Sequence, residues 1–156
     1  MASIEKLEFF IPSNRQGKNG RKKGMDGMNE IVKQSRANSA WANIRKEANE
    51  MHCAAYARSA MRAAGWKTRD CLHTVILEFI EPDTRRDDDN IFAGAKYVLD
   101  SLCKPQVGEK RTIHKNGCGA IPDDDPMHVC LLCKRGKEDR NNPGIKVTIY
   151  REAENG

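Results

Sequence analysis

The sequence predicts a mixed α/β protein: one domain over residues 1–156, in which a small mixed β-sheet is packed by two main helices. Length and composition support this class, because 156 residues with 38% hydrophobic and 31% charged residues are typical of one small globular domain. Apolar residues also recur with a period of two in some segments and at helical spacing in others. These segments follow one another in the order β-α-β-α-β-β.

The first half of the chain is predicted to hold a strand, a long loop and a helix. Leu7 and Ile11 belong to an alternating apolar pattern that predicts the strand. Residues 12–37 are rich in Gly, Asn, Lys and Ser, which predicts a long basic loop. Ser39 is expected to cap the helix that follows, and Gly65 to end it. Its apolar residues at helical spacing are expected to form one stripe facing the sheet: Trp41, Ile44, Ala48, Met51 and Ala55.

The second half is predicted to supply the remaining helix and three strands. Residues 73–81 are apolar on both faces, as in a central strand. A second helix is predicted over 90–103, and residues 103–120 are expected to form an inserted loop or hairpin. Two further strands are predicted over 127–134 and 145–151. The buried face of the second helix is expected to comprise Ile91, Ala95, Val98, Leu99 and Leu102.

The basic residues are concentrated near the N-terminus. The net charge is +5 although the chain has 22 acidic residues, so the location of the basic excess matters more than its sum. Between Arg15 and Lys23 there are cations and no acidic residue. A basic run beside glycines predicts either a phosphate-binding arm or a solvated loop. The cations of this run are Arg15, Lys18, Arg21, Lys22 and Lys23.

The sequence offers no membrane or secretion signal. No apolar run approaches the roughly 18 residues of a membrane helix, and residues 1–6 lack the apolar core of a signal peptide. We therefore expect a cytoplasmic protein with no membrane partner. In that reducing compartment, the six cysteines are expected to be free thiols.

Two acidic segments lie at the boundaries of predicted elements. Asp87–Asp89 precede the second helix, and Asp123–Asp125 precede the third strand. If the segments meet, two carboxylates about 4 Å apart repel by roughly 4 kcal/mol at an effective dielectric near 20. A helix N-terminus offsets only about 0.3–1 kcal/mol per anion. The clusters therefore predict a hard divalent cation, Mg²⁺ or Mn²⁺. The alternative is an Asp-rich turn that only caps a helix and faces water.

A lysine on the second helix accompanies the carboxylates. Lys96 shares one helical face with Asp89 and Asp100 and is placed to reach an anion held near them. Carboxylates, a metal and a lysine together predict metal-assisted hydrolysis of a phosphodiester.

Cysteines and one histidine allow a different metal site. Cys130 and Cys133 have the spacing of a zinc knuckle, but they lie in a predicted strand, where residues three apart point to opposite faces. A zinc site formed by Cys103, His114 and Cys118 remains an alternative. Buried free thiols are the simpler interpretation.

One ordered set of residues resembles the RusA-type Holliday junction resolvases over residues 73–130. The set comprises Arg86-Asp87-Asp88-Asp89-Asn90, then Lys96, Asp100 and Leu102, then Gly119-Ala120-Ile121-Pro122-Asp123-Asp124. The resemblance implies a RusA-like fold and a homodimer that makes paired Mg²⁺-dependent nicks in four-way DNA junctions. It also implies a bacterial or phage-infected host cell. The family's metal-binding aspartates fall on Asp87, Asp89 and Asp124. Its lysine position falls on Ala93, and Lys96 lies one helical step further on the same face.

The leading hypothesis is thus a structure-selective DNA endonuclease. Asn90, Asp100 and Asp123 are expected to support the metal site from a second layer. The residues expected to bind DNA are Asn14, Arg15, Lys18, Arg21, Lys22, Lys23, Arg85 and Arg86. Two alternatives remain: a nucleic-acid-binding protein of the same fold that does not cut, and a small zinc-binding adaptor.

Overall fold

A four-stranded mixed sheet forms the centre of the protein in a computed structural model that describes residues 3–154. Its strands lie in the order β1 (Ile4–Pro12), β8 (Gly144–Glu152), β4 (His73–Ile80) and β7 (Val129–Arg135). β8 pairs antiparallel with both of its neighbours, whereas β4 pairs parallel with β7. The predicted mixed α/β class is confirmed.

Helices cover the sheet and complete the core. The long helix α2 (Ser39–Ala64) packs against β1 and against α4 (Ala95–Leu102). The shorter helix α3 (Asp88–Phe92) directly precedes α4 and lies near β7. The predicted apolar face of the second helix, which the structure divides between α3 and α4, is buried as expected. The largest fully buried apolar side chains come from strands, helices and the segment before β7: Ile11, Val75, Leu77, Ile91, Val98, Leu102, Ile121, Ile145, Val147 and Ile149.

The segment predicted as a loop over 12–37 contains regular structure. A short hairpin joins β2 (Arg15–Gln16) to β3 (Lys22–Lys23), and helix α1 spans Met28–Ala37. No residue of α1 is fully buried. The helix is anchored by polar contacts, since Glu30 accepts hydrogen bonds from two arginines and from the Gly27 backbone. Its apolar residues Met28, Ile31 and Val32 recur at helical spacing, but the surrounding Gly, Asn, Lys and Ser obscured this short pattern.

The predicted helix over 90–103 is interrupted. Ala93 and Gly94 separate α3 from α4, although both residues keep right-handed helical angles. The hydroxyl of Tyr97 would lie 2.7 Å from a Cβ atom at position 94, so the absence of a side chain there accommodates the tyrosine. That hydroxyl donates a hydrogen bond to the backbone carbonyl of Asp26 at 2.8 Å. The packing of Tyr97 against Asp26 thus accounts for the close approach of its hydroxyl to Gly94, between α3 and α4.

The predicted apolar stripe on α2 was wrong. Trp41, Ile44 and Met51 are 55%, 61% and 55% exposed. The buried face is instead built from smaller or polar residues: Asn49, Glu50, Cys53, Ala54 and Ala57. Small side chains allow α2 to approach β1 and α4 closely, and this packing overrides the spacing of the larger apolar residues.

The ends of α2 follow ordinary capping chemistry. Asn38, not Ser39, is the N-cap, and its side chain accepts hydrogen bonds from Ala40 N and Trp41 N. Gly65 ends the helix in the left-handed conformation with φ of 65°, as predicted.

The inserted segment forms a hairpin. β5 (Gln106–Val107) pairs antiparallel with β6 (Thr112–Ile113), and residues 104–113 are all exposed. An isolated backbone bridge joins Cys103 to Ile121 at the base of the hairpin. Among residues 3–154, no helix combines the length and the apolar character required to span a bilayer.

Candidate metal centre and cationic surface

The second acidic segment lies within a group of metal-ligating side chains. One potential ligand atom each from Cys103, His114, Asp123 and Asp124 lies within 4.8 Å of all the others. Cys103 caps the end of α4, His114 follows β6, and the two aspartates follow the bridged residue Ile121. Among residues 3–154, no other group of three or more such ligands is this close together.

Lys96 connects α4 to this group. Its ammonium nitrogen lies 3.0 Å from Oδ1 of Asp100 and 3.5 Å from Oδ2 of Asp124. Burial alone would lower the pKa of Lys96, but the hydrogen bond to Asp100 and the charge of Asp124 outweigh it and raise that pKa. The lysine therefore stays protonated beside the carboxylates.

The carboxylate of Asp123 is held by the neighbouring backbone. The backbone N–H of Asp124 donates to Oδ1 of Asp123 at 2.8 Å, and this bond lowers the pKa of Asp123. Asp123 also accepts a hydrogen bond from Gln106 at 3.2 Å. Asp123 is therefore a charged carboxylate that can face a cation.

His114 and Cys103 are the other two members of the ligand group. The His114 ring lies between two carboxylates, with Nδ1 3.5 Å from Asp100 and Nε2 3.6 Å from Asp123. The Cys103 thiol is fully buried and donates to the Leu99 carbonyl at 3.2 Å. Burial, followed by the charge of nearby carboxylates, raises the pKa of Cys103, so it is a neutral thiol without a metal.

The donor chemistry of the group is mixed. Mg²⁺ binds hard oxygen ligands and usually keeps several waters, whereas sulfur and imidazole ligands suit zinc and similar metals. The carboxylates of Asp123 and Asp124 fit Mg²⁺. The thiol of Cys103 and the imidazole of His114 fit a transition metal better.

The first acidic segment lies elsewhere on the chain. Asp87, Asp88 and Asp89 are exposed, and Asp88 pairs with Arg135 at 2.8 Å. Asp87 is the N-cap of α3 but makes no side-chain capping bond. Asn90 accepts a hydrogen bond from the first turn of α1, at Asn29 N, so its amide oxygen supports the fold.

The two acidic segments lie near opposite ends of β7. Arg135, the partner of Asp88, is the last residue of the strand, whereas Asp124 precedes its first residue. A strand of seven residues spans about 20 Å at roughly 3.3 Å per residue. Within the described residues of one chain, the ligand group that contains Asp124 does not include Asp87 or Asp89.

Several predicted DNA-binding residues converge on one surface. The cationic concavity, about 240 Å³ in volume, is lined by Arg21, Lys22, Lys23, Pro82, Asp83, Arg85 and Arg140. These residues come from the β2–β3 hairpin, the segment after β4 and the segment before β8. Five cations therefore face one acidic residue, Asp83, which pairs with Arg85 at 3.6 Å. Lys18 is exposed in the same hairpin.

Three other predicted DNA-binding residues are engaged inside the fold. Arg86 donates two hydrogen bonds to the buried Glu81, at 2.7 and 2.9 Å, and also bonds Glu30. Arg15 pairs with Glu30 at 3.1 Å and lies 3.4 Å from Asp26. These side chains stabilise the packing of the N-terminal segment against the end of β4. In addition, the Asn14 amide donates to Asn49 Oδ1 at 2.9 Å.

Sequence reasoning missed one cation and one ligand combination. Arg140 lies in a polar segment without any periodicity, so no local signal placed it beside Arg85. Cys103 and His114 were considered together with Cys118, but the Cys118 thiol lies outside the ligand group and contacts the Leu102 carbonyl at 3.8 Å. Only the fold shows that the aspartates replace that cysteine.

No protein-family model matches the chain, and neither the curated proteins nor the solved structures contain a significant match. The RusA-type resemblance therefore stays a prediction that rests on the residues that carry it. The function has to be argued from the geometry of the site.

Proposed function

We propose that this protein is a Mg²⁺-dependent endonuclease that cuts branched DNA, with Mn²⁺ as an alternative cofactor. The observation that carries the proposal is the cationic concavity, in which cations from three chain segments meet next to the residues that lead into Asp87 and Asp89. Such a surface suits the closely spaced phosphates of a nucleic-acid backbone. Carboxylates beside bound phosphate would repel it unless a cation intervenes, which favours metal-assisted chemistry.

The proposed chemistry assigns a role to each side chain. Asp87, Asp89 and Asp124 supply the hard oxygen donors for a metal that would polarise the phosphate and lower the pKa of its bound water. Lys96, which stays protonated, neutralises charge that develops on the phosphate oxygens. Asp123 orients Asp124 because its carboxylate accepts the neighbouring backbone N–H.

A homodimer would bring the two acidic segments together. β7 is an edge strand of the sheet, and it carries the exposed apolar residues Leu131 and Leu132. An exposed apolar edge strand is prone to pair with another strand. Antiparallel pairing of β7 with β7 of a second copy, around a two-fold axis perpendicular to the sheet, would set Val129 of one copy opposite Arg135 of the other.

The same pairing would build a composite site. Asp88 is tied to the carboxyl end of β7 and Asp124 precedes its amino end. Antiparallel strands bring these unlike ends together, so Asp87 and Asp89 of one copy would approach Asp124 of the other. A perpendicular axis also leaves the helices of both copies on one face of the joined sheet. Each dimer would then hold two sites, as paired nicks in opposite strands require.

The substrate class follows from the resemblance to RusA-type resolvases. That resemblance implies a RusA-like fold and a homodimer that acts on four-way junctions, and the composite site supplies a physical reason for such a dimer. A four-way junction is thus the proposed substrate, encountered in the cytoplasm of a bacterium or a phage-infected cell.

Cleavage of a labelled four-way junction tests this function. The wild-type protein is expected to make paired nicks with Mg²⁺ and none with EDTA. Asp89→Asn should abolish cleavage and retain binding, because it removes a negative charge near the phosphate. Glu138→Gln, a change of the same chemistry at another exposed position, should cleave like the wild type. Binding without any cleavage by the wild-type protein would instead identify a non-cleaving nucleic-acid-binding protein.

Mixed dimers test the composite site. Asp89→Asn and Asp124→Asn chains carrying different affinity tags are co-expressed, and the mixed dimer is isolated through both tags. In the composite arrangement, one site carries both substitutions and the other carries neither, so the mixed dimer should nick one strand although each parent dimer is inactive. A mixed dimer that does not nick at all would show that each site is built from a single chain.

A further inference from the structure

A second metal site of different chemistry surrounds the inserted segment 104–122. Cys103 immediately precedes this segment, His114 lies in its middle, and Asp123 and Asp124 immediately follow it. We propose that these four residues form a tetrahedral site for zinc or a similar transition metal, which fixes the inserted segment to the end of α4. The inference goes beyond DNA cleavage, although Asp124 is shared with the proposed Mg²⁺ site.

The geometry is close to that of a metal site. Zinc takes sulfur at about 2.3 Å and nitrogen or oxygen at about 2.0–2.2 Å, which sets neighbouring tetrahedral ligands roughly 3.3–3.8 Å apart. The four ligand atoms already lie within 4.8 Å of one another, so a contraction of about 1 Å would complete the site. Three of the four ligands lie in or beside irregular segments that can make this adjustment.

The imidazole of His114 lacks its usual partners. Its side chain is only 11% exposed, and its two nitrogens lie 3.5 and 3.6 Å from the nearest carboxylates, which is longer than a good hydrogen bond. Within residues 3–154, neither ring nitrogen makes a hydrogen bond to another group. A largely buried ring whose nitrogens face carboxylates, rather than hydrogen-bonding elsewhere in the described residues, and which lies beside a thiol, is suited to bind a metal.

The charge balance also favours a cation. The carboxylates of Asp100, Asp123 and Asp124 surround the group. Lys96 contacts Asp100 and Asp124, and Lys46 lies 4.0 Å from Asp100. A divalent ion would offset the remaining negative charge. It would also have to displace the proton of the Cys103 thiol, as zinc does in cysteine-containing sites.

A bound metal would add to the few anchors of the inserted segment, such as the pair of Lys115 with Glu47 of α2 at 2.6 Å. Residues 104–113 are exposed throughout, with Val107 88% and Ile113 45% exposed, so little apolar packing holds the β5–β6 hairpin. An isolated two-stranded hairpin is marginal in water. Backbone hydrogen bonds fasten only its base, where Lys104 N donates to Ile121 O at 3.0 Å and Gly119 N donates to Cys103 O at 3.2 Å. A metal bound by His114 would also fasten the hairpin at the end of β6.

Metal titration without DNA tests the inference. The metal-stripped wild-type protein is titrated with Zn²⁺ and then with Co²⁺, and bound metal is measured by elemental analysis and absorption. One metal per chain and a thiolate-to-cobalt charge-transfer band are expected. Cys103→Ser should lose the band, and Cys118→Ser, a change of a neighbouring thiol outside the ligand group, should keep it. Since even outer-shell changes cost about 10–100-fold in metal affinity, His114→Gln should weaken binding by more than about 100-fold.

Hydrogen exchange of residues 104–113 supplies a second measurement. Zinc should slow exchange of this segment in the wild type and in Cys118→Ser, and should have no effect in His114→Gln. Failure of the wild type to bind Zn²⁺, or a cobalt band that persists in Cys103→Ser, would overturn the site. Because Asp124 belongs to both proposed sites, residues that belong to only one of them separate the two proposals. Cys103→Ser should lose the cobalt band, whereas Asp89→Asn should lose junction cleavage and keep the band.

Discussion

Replacing Arg86 should reveal a structural role rather than a role in DNA binding. Its guanidinium donates to both carboxylate oxygens of Glu81, at 2.7 and 2.9 Å, and to the Met25 carbonyl at 2.8 Å. The Glu81 side chain is only 5% exposed. In Arg86→Ala, the Glu81 carboxylate stays buried but loses both hydrogen bonds from the guanidinium. Glu30 keeps its pair with Arg15.

The expected loss follows from that one orphaned charge. Breaking a buried pair by removing one partner lowers the free energy of unfolding by about 3–5 kcal/mol. Because 18% of the Arg86 side chain is exposed, we expect a decrease of about 3 kcal/mol. A loss of about 3 kcal/mol lowers the Tm of a domain of this size by roughly 6–12 °C. Arg85→Ala is the matched control, because that side chain is 85% exposed and pairs only with Asp83. Its free energy of unfolding should stay within about 0.5 kcal/mol of the wild type.

Urea denaturation followed by circular dichroism measures both variants. The two arginines should also separate in DNA binding: Arg85→Ala should reduce the salt dependence of junction affinity, and Arg86→Ala, measured where it is folded, should not. Equal unfolding free energies for the two variants would refute the assignment of Arg86 to the fold. A smaller salt slope for Arg86→Ala would place its guanidinium on the DNA.

Three further changes test other parts of the structure. Replacing Lys22 and Lys23 by alanine should weaken DNA binding and flatten the plot of log affinity against log salt by about 2, at about 0.9 per phosphate contact; an unchanged slope would exclude the hairpin from the interface. Burial lowers the pKa of His73, so the folded state resists protonation and its free energy of unfolding should fall as the pH drops below 6.5. His73→Asn should show a smaller fall in denaturation measured at about pH 8 and about pH 5, and an equal fall would contradict this origin. Gly94→Ala should cost about 1–3 kcal/mol in the same assay, because its Cβ would lie 2.7 Å from the Tyr97 hydroxyl, and a stability gain would show that the tyrosine moves freely.

The sequence correctly predicted the helices and strands whose burial follows from their own apolar pattern. β4 alternates buried and partly buried residues as its apolar sequence indicates, and the apolar face of α4 is buried as expected. α1 escaped prediction because arginines far away in sequence, such as Arg86, anchor it through Glu30. The face of α2 was misassigned because close packing of small residues against β1 and α4 outweighed the apolar character of Trp41.

The candidate site could be predicted by residue type but not by position. The sequence identified the acidic segments, Lys96 and the basic arm, because each has a local signature. Which of these residues meet depends on the parallel pairing of β4 with β7, a long-range contact that no local pattern encodes. That pairing sets the segment after β4 and the segment before β7 near opposite ends of the sheet.

The parallel pairing also gives a reason why the nuclease that we propose would act as a dimer. The chain leaves β4 at its carboxyl end, near Asp87. α3 and α4 then return it toward Asp124, which the Lys96 side chain contacts and beside which Cys103 ends α4. If β7 ran antiparallel to β4, the two acidic segments would lie at the same end of the sheet. Within one chain, the parallel pairing of β4 and β7 excludes this arrangement. A two-fold axis through β7 supplies it without changing the fold of either copy. The ligand group of Cys103 and His114 needs no such partner, so in a monomeric variant zinc binding should survive while Mg²⁺-dependent cleavage is lost.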